Sequence, residues 1–329
     1  MQCRPLSTIN NYTSISMKAL LKELPLPNEN KKGWPWTHES KLILDARSKD
    51  SPWPKISIIT PSLNQGKFIE ETIRSILLQN YPNLEYIVID GGSTDNSIEI
   101  IKKYENWIHY WVSEKDEGQS HAINKGLEAC TGDIIAWVNS DDTFANDTLF
   151  YVADKFNLND ANWLIGIANI IDESSNRVGF RNPPKDVTQE TFLCWTGNWF
   201  PQQSTFWNRK MLELIGHLDI SLHYVMDVDL WWKMTKRTSP IIENKVLSNY
   251  RVHNKSKTVF DNEKSNQELA SWIYNNFILN ATNKYDNFIH ILHRQIYLQS
   301  LIDRLKNHII LGNVIKFWGN YINSYFSKL

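Results

Sequence analysis

From residue 56 the chain alternates between two kinds of apolar pattern. "ISIIT" (56–60), "LEYIVID" (84–90), "IHYWVS" (108–113) and "DIIAWVN" (133–139) are short runs rich in β-branched residues, as strands are. Between them the period changes to that of a helix. "GKFIEETIRSILLQ" places Phe68, Ile69, Ile73, Ile76 and Leu77 on one face, and "STDNSIEIIKKYE" opens with Ser93, Thr94 and Asp95, natural N-cap residues. A third helix is expected within "GQSHAINKGLEACTG" (118–132). Strands and helices alternating at this spacing predict an α/β fold, a mostly parallel central sheet with helices on both faces.

The flanks read differently. Residues 1–54 are polar and irregular, an N-terminal arm with one short helix around "MKALLKEL" and a Trp-Pro knot, "GWPWT", packed on the domain. The main domain is expected over 55–258, divided into 55–145 and 146–258. Residues 259–329 are helical by pattern and form a C-terminal extension. Its last segment, 309–329, places Leu311, Val314, Ile315, Trp318, Tyr321, Ile322 and Tyr325 on one face. Packing on the main domain is the default reading. Peripheral membrane contact, with Lys316 and Lys328 nearby, is the alternative.

Polar residues gather where the four strands end. Thr60, Pro61, Ser62 and Asn64 follow the first. Asp90, Gly91, Gly92 and Ser93 follow the second. Glu114, Asp116 and Glu117 follow the third, and Asn139, Asp141 and Asp142 the fourth. Ligands of open α/β sheets bind at that edge. There is no Gly-x-Gly-x-x-Gly after the first strand and no Gly-Lys-Ser/Thr loop, so the backbone does not supply the main phosphate cradle. Carboxylates repel phosphate, but a divalent cation with a taste for hard oxygen ligands joins the two. Asp141, Asp142 or both are therefore expected to hold Mg²⁺ or Mn²⁺, and the ion a diphosphate. The competing reading, that "NSDD" caps the following helix, is served more naturally by Asn146 or Asp147.

Composition narrows the class. The 329 residues are 42% hydrophobic and 22% charged, with a net charge of -1 that offers no broad grip on nucleic acid. Fourteen Trp residues suit sugar stacking, yet core packing explains most of them. Cys3, Cys130 and Cys194 lack metal or redox spacing, which fits free thiols in a reducing compartment. With no apolar run of membrane-spanning length and no signal-peptide core, a cytoplasmic location is expected, peripheral to the plasma membrane if 309–329 binds it.

"ISIITPSLNQGKFIEETIRSILLQNYPNLEYIVIDGGSTDNS", "DEGQSHAINKG" and "GDIIAWVNSDDTF" together resemble family 2 glycosyltransferases, inverting nucleotide-sugar enzymes with the A-type fold. "PQQSTFWNRKMLELIGHLDISLHYVMDVDLWWKM" and "LSNYRVHNKSKT" resemble the acceptor half of bacterial polysaccharide-assembly members. The resemblance runs from about Lys55 to Thr258. It implies a nucleoside diphosphate sugar donor and a glycan or lipid-linked acceptor. Pro61, Ser62 and Asn64 would line the nucleoside, Asp90 and Gly92 would face the base or ribose, and Asp116 and Lys125 would complete that pocket. Many members carry a second acid where this chain has Gly91. The usual Asp-x-Asp metal motif begins here with Asn139, which leaves Asp141 and Asp142 for the metal and Asn139 for ribose.

Inversion at an anomeric carbon needs a neutralised leaving diphosphate, a deprotonated acceptor hydroxyl and an in-line arrangement. "HYVMDVDLWWKM" offers Asp227 and Asp229 at a helix start, where an acid is also favoured by the helix dipole alone. The family segment usually reads Glu-Asp. Met226 replaces the Glu, so the resemblance gives Asp227 the role of base and Asp229 an orienting role on the acceptor side. His253 would complete the metal shell, and Arg251 or Lys255 would steady the diphosphate. Gln202 and Gln203, with both donors and acceptors, suit a hydroxyl-rich acceptor. Trp195, Trp199 and Trp207 suit stacking on sugar faces, and each has an ordinary core explanation as well. The alternative is a catalytically silent nucleotide-sugar or carbohydrate-binding homologue, since Asn139 and Met226 replace the usual acids.

Overall fold

A computed structural model describes residues 2–3, 20–41, 52–188, 192, 200–254, 256–257, 262–273 and 275–276. Two compact units divide the chain, 1–188 with 199–272 and 189–198 with 273–329. The first holds the elements that build the site. The helical face expected at 309–329, together with Trp195, Trp199, Cys194 and Lys255, lies outside the described residues.

The alternation read from the sequence is present. Strands β2 (Ile56–Ser62), β3 (Leu84–Asp90), β4 (Tyr110–Ser113) and β5 (Ile134–Trp137) are separated by helices α1 (Ile69–Leu77), α2 (Ser97–Lys103) and α3 (Gln119–Ala129). All pairs among these strands are parallel, in the order β4-β3-β2-β5. The chain thus builds outward from β2 to β4, then returns to the other side of β2. The switch point lies between β2 and β5, and a crevice opens there at their carboxyl ends. β4 and β5 are shorter than their apolar runs suggest, and β2 runs two residues further, to Ser62. Near β4, Ile108 is buried but precedes the ladder. After Trp137 the chain bends away at Asn139.

The second half extends the same sheet. After β6 (Thr143–Phe144) and α4 (Thr148–Lys155) come β7 (Trp163–Ile171), β8 (Arg177–Arg181), β9 (Thr205–Asn208), α5 (Arg209–Ile215), α6 (Met226–Thr235), β10 (Ile241–Arg251) and α7 (Asn262–Ile273). Strand β9 runs antiparallel between β5 and β7, and β10 runs parallel to β7. β5, β7 and β10 therefore point the same way, and the residues after each meet at one edge with Gln202–Ser204, which precede β9. A two-residue strand β1 (Gln2–Cys3) adds to β4, β6 closes on β10, and β8 pairs with β7.

Strand alternation sorts the core. Ile56, Ile58, Tyr86, Val88, Ile134 and Ala136 share a cluster with Ile69, Ile73 and Ile76 of α1 and Ile100 and Ile101 of α2. Burial of such side chains contributes roughly 1.5–3 kcal/mol each. On the opposite face α3 lies close, because a Cβ on Gly126 would stand 2.4 Å from Ile59 Cγ2.

The "GWPWT" segment joins this core rather than resting on it. Trp36 and Leu24 are buried, and Trp34 Nε1 donates to the Phe144 carbonyl at 2.8 Å. Arg74, fully buried on α1, donates to the carbonyls of Pro25, Pro35 and Trp36 at 2.9–3.1 Å. The helix expected at "MKALLKEL" is, among the described residues, a single 3₁₀ turn at Leu20–Lys22. No helix among the described residues is long and apolar enough to cross a membrane.

Candidate active site

The turn after β5 is pinned from below by α1, where Thr72 Oγ1 donates to the carbonyls of Ser140 (3.0 Å) and Asp142 (2.7 Å). The two acids that follow diverge. Asp142 points inward and is buried. Its Oδ1 accepts from the Arg251 amide at 2.8 Å, and Oδ2 lies 3.4 Å from Asn139 Nδ2. Burial, then the charge of Asp141, holds the Asp142 carboxyl well above the usual carboxylate range, against the pull of Arg251 and Asn139. Asp141 is partly exposed, and its Oδ2 lies 3.0 Å from Nε2 of buried His253. The His253 ring packs on Phe68 at 4.8 Å, and its amide donates to Ser256 Oγ.

Arg251 is a clamp. Its buried guanidinium pairs with Glu71 at 3.0 Å and donates to the carbonyls of Asp141 and Asp172 and to Ser175 Oγ. It is committed to holding the turn, which corrects the expectation that it reaches a diphosphate. Asn139 lies in a chain of amides: Gln119 Nε2 donates to its Oδ1 at 2.8 Å, and its Nδ2 faces Gln202 Oε1 at 3.5 Å. Gln202 in turn donates to the Trp137 carbonyl. Gln203 is buried, with Nε2 unpartnered among the described residues.

On the other side of β2, Asp90 is fully buried. Its carboxylate accepts from the amides of Gly92 (3.1 Å) and Ser93 (2.8 Å) and the hydroxyls of Ser93 (2.5 Å) and Ser113 (2.7 Å). The acid expected to face the base or ribose holds its own turn, three of these donors going to Oδ2 and one to Oδ1. Asn64 is likewise engaged, its Oδ1 accepting from the Thr94 amide at 2.8 Å while its own amide donates to Ser93 Oγ. Ser93 and Thr94 belong to this turn and Asp95 bonds Ser97, so α2 begins later than its N-cap signals suggest. Pro61 is buried. Ser62 Oγ is buried too, without a partner among the described residues. Asp116 Oδ1 accepts from the Gly118 amide, and its Oδ2 would lie 2.5 Å from a Cβ on Gly91. Gly91 is thus the residue that lets the Asp116 carboxylate in. Lys125 pairs with Glu114 at 2.7 Å.

The acids of α6 differ in their surroundings. Asp227 is half-buried, and its Oδ1 accepts from the Val228 amide at 2.8 Å. Burial pushes its pKa up to about 6, against the pull of the local amides and the charges of Arg181 and Lys257. Asp229 is buried, ion-paired with Lys233 at 2.7 Å and accepting from Trp272 Nε1 at 3.0 Å. Trp207 is wholly buried, edge-on to Trp137 at 5.5 Å, and is core rather than a sugar platform. Among the described residues no three His, Cys, Asp or Glu side chains form a group able to hold a metal by themselves.

Residues 57–218 match Glycosyl transferase family 2. They form a family 2 glycosyltransferase domain. An uncharacterized glycosyltransferase of Rickettsia typhi is 29% identical over 214 residues, 62% of this chain and 66% of that protein. The putative teichuronic acid biosynthesis glycosyltransferase TuaG of Bacillus subtilis is 39% identical over 99 residues, 29% of this chain and 39% of TuaG. The chain thus spans less than two thirds of the length of these curated relatives. In fold it is similar to S. aureus TarS, solved with UDP-GlcNAc (TM-score 0.56, 18% identity, 80% of this chain and 75% of that one). It is also similar to the mannosyltransferase PcManGT of Pyrobaculum calidifontis, solved with GDP-Man and Mn²⁺ (TM-score 0.52, 18% identity, 84% and 83%). The mostly parallel α/β architecture expected from the sequence is the one these structures share.

The family 2 match ends at 218, so Asp227, Asp229, Arg251 and His253 lie beyond it. The fold brings Arg251 and His253 back to the Asp141 turn through β10. Glu71, Thr72 and Ser175, which hold that turn in place, escape a reading of motifs. One signal was present: polar residues in a helix as apolar as α1 need buried partners.

Proposed function

We propose that this protein is an inverting glycosyltransferase that moves a sugar from a nucleoside diphosphate donor to a hydroxyl of a glycan or lipid-linked acceptor. Asp227 carries the reading. A carboxylate raised to about 6 is ionised at neutral pH yet basic enough to accept a proton, the condition for a general base. The partners of Asp229 occupy it, which leaves Asp227 as the acid of α6 suited to this work.

Asp141 and His253 are the residues assigned to a divalent cation, with Asp142 and Arg251 behind them. One carboxylate oxygen and one imidazole nitrogen 3.0 Å apart suit an ion that takes its remaining ligands from phosphate and water. The PcManGT complex with GDP-Man and Mn²⁺ supports this choice. A cation there would offset the negative charge of the departing diphosphate. Ser62, with its unpartnered buried hydroxyl, and Asp116, lodged against Gly91, are assigned to the nucleoside. Pro61 and Gly92 shape the same crevice, Asp90 and Asn64 hold its turns, and Lys125 buttresses it through Glu114. Gln202 and Gln203 belong to the acceptor side.

The amide at Asn139 favours a second reading, a silent nucleotide-sugar-binding homologue. Incubation with UDP-GlcNAc or GDP-mannose, Mn²⁺ and a panel of glycan acceptors, followed by assay of released UDP or GDP, separates the two. Release abolished by Asp227→Asn supports transfer. Donor binding by calorimetry without release supports the silent reading.

A further inference from the structure

Helix α6, which presents Asp227, begins without a cap of its own. Its N-cap residue is Val225, whose side chain has no acceptor, and no side chain there makes a capping bond. The segment that leads into the helix is held instead by a side chain 43 residues beyond Val225. Glu268 Oε1 accepts from the amides of His223 (3.0 Å), Tyr224 (2.7 Å) and Val225 (2.9 Å), and Oε2 accepts again from His223 at 3.0 Å. Three consecutive amides converging on one carboxylate make a strong, charge-assisted clamp.

A second contact follows one turn along α7. Trp272 stands four residues after Glu268, on the same helix face, and donates to Asp229 Oδ1 at 3.0 Å. Helix α7 therefore grips the chain on both sides of Asp227, at 223–225 and at 229. The opposite side of this loop is docked on α3. Ser120 Oγ donates to the Leu222 carbonyl at 2.6 Å, and the Asn124 side chain exchanges two hydrogen bonds of 2.9 Å with the Leu218 backbone. Lys257 Nζ donates to the His223 carbonyl.

We propose that Glu268 is a positioning residue for catalysis, fixing the 223–225 loop so that Asp227 meets the acceptor hydroxyl in line. This rests on the reading of Asp227 as general base. The Asp227 carboxylate takes its orientation from the Val228 amide, so a shift of the loop moves the carboxylate with it. A misplacement of ~1 Å costs on the order of a hundredfold in rate.

The test uses the full chain with Glu268→Ala, Glu268→Gln and Glu268→Asp. Nucleoside diphosphate release is measured from UDP-GlcNAc or GDP-mannose with Mn²⁺ and a panel of glycan acceptors, together with hydrogen exchange over 218–229 and the Asp227 titration. Glu268→Ala is expected to lower kcat by about 10- to 100-fold with donor KM unchanged. Amides 223–225 exchange faster while those of β2 and β5 do not, and the Asp227 midpoint falls as the loop opens to water. Glu268→Gln keeps one acceptor oxygen in place and restores most of the rate. Glu268→Asp keeps the charge but withdraws it by one methylene, and is slower than Glu268→Gln. A kcat within twofold of wild type in Glu268→Ala, with the loop amides exposed, overturns the proposal by reducing Glu268 to a cap. If Glu268→Ala does not fold, the order of the Gln and Asp variants decides, and Asp faster than Gln overturns it. If Asp227→Asn releases nucleoside diphosphate as fast as wild type, the base reading fails alone. An Asp227 midpoint unmoved in the variants then overturns the positioning role.

Discussion

His253 Nε2 lies 3.0 Å from Asp141 Oδ2, although 112 residues separate them. β10 delivers the imidazole, and the bend after β5 delivers the carboxylate. The neighbouring Asp142 turns the other way, onto the Arg251 amide.

Asp141→Ala and His253→Ala should therefore each weaken Mn²⁺-dependent donor binding by at least about tenfold, while Asp142→Asn weakens it less. Removing groups that support a metal costs ~10–100-fold in affinity. Calorimetry with and without Mn²⁺ checks it. Equal losses at 141 and 142 would return the metal to both acids.

Asp227→Asn should lower transfer by on the order of 10²–10⁴-fold, with donor affinity unchanged. In the wild type the rate should fall as pH drops through about 6, where Asp227 takes up a proton. Stability has the opposite sign. The folded pKa lies above the unfolded one, so the favourable contribution of the neutral carboxyl is complete below pH 4 and is lost as pH rises through about 6. The Asn variant, neutral throughout, should melt higher than wild type at pH 7 and no higher at pH 3.5. Thermal melts across that range read this directly.

Asp90→Ala should destabilise the protein by about 2–4 kcal/mol, since four donors, two of them buried, lose a charged acceptor together. Donor affinity should fall as well, as the Gly91–Ser93 turn loosens. Urea unfolding and calorimetry give the two numbers. A loss of affinity at wild-type stability would restore the direct nucleoside contact.

Gly91→Asp, the change that supplies the acid common in the family, should weaken donor binding and stability, because the new Cβ would stand 2.5 Å from Asp116 Oδ2. Adding Asp116→Gly should recover part of the stability. A double-mutant cycle checks the coupling, and simple additivity would mean the two positions do not share one space.

The parallel core and its polar tips were legible because strands buried on both faces leave continuous apolar runs that end at polar residues. What a side chain does at a tip was less legible. Asp90 and Asp116 carry the same group. Most of the donors to Asp90 lie in its own turn, within three residues, whereas Asp116 keeps an oxygen lodged against Gly91, far back along the chain. Arg251 reads as a phosphate ligand by type but is a clamp by burial. Glu268 carried no signal at all, since its partners are backbone amides and those have no identity in a sequence.

Arg74 gives the borders of the protein a different meaning. The family match begins at residue 57, yet this guanidinium, in the heart of α1, finds three carbonyl partners at Pro25, Pro35 and Trp36. Cutting the chain at the family border would strand a charge in the interior. The cost is roughly 1–3 kcal/mol for each orphaned bond, a large share of the roughly 5–15 kcal/mol that holds a domain together. What is inherited as a recognisable module is smaller than what can fold, and the missing part is supplied by a stretch whose own sequence looks like a tail.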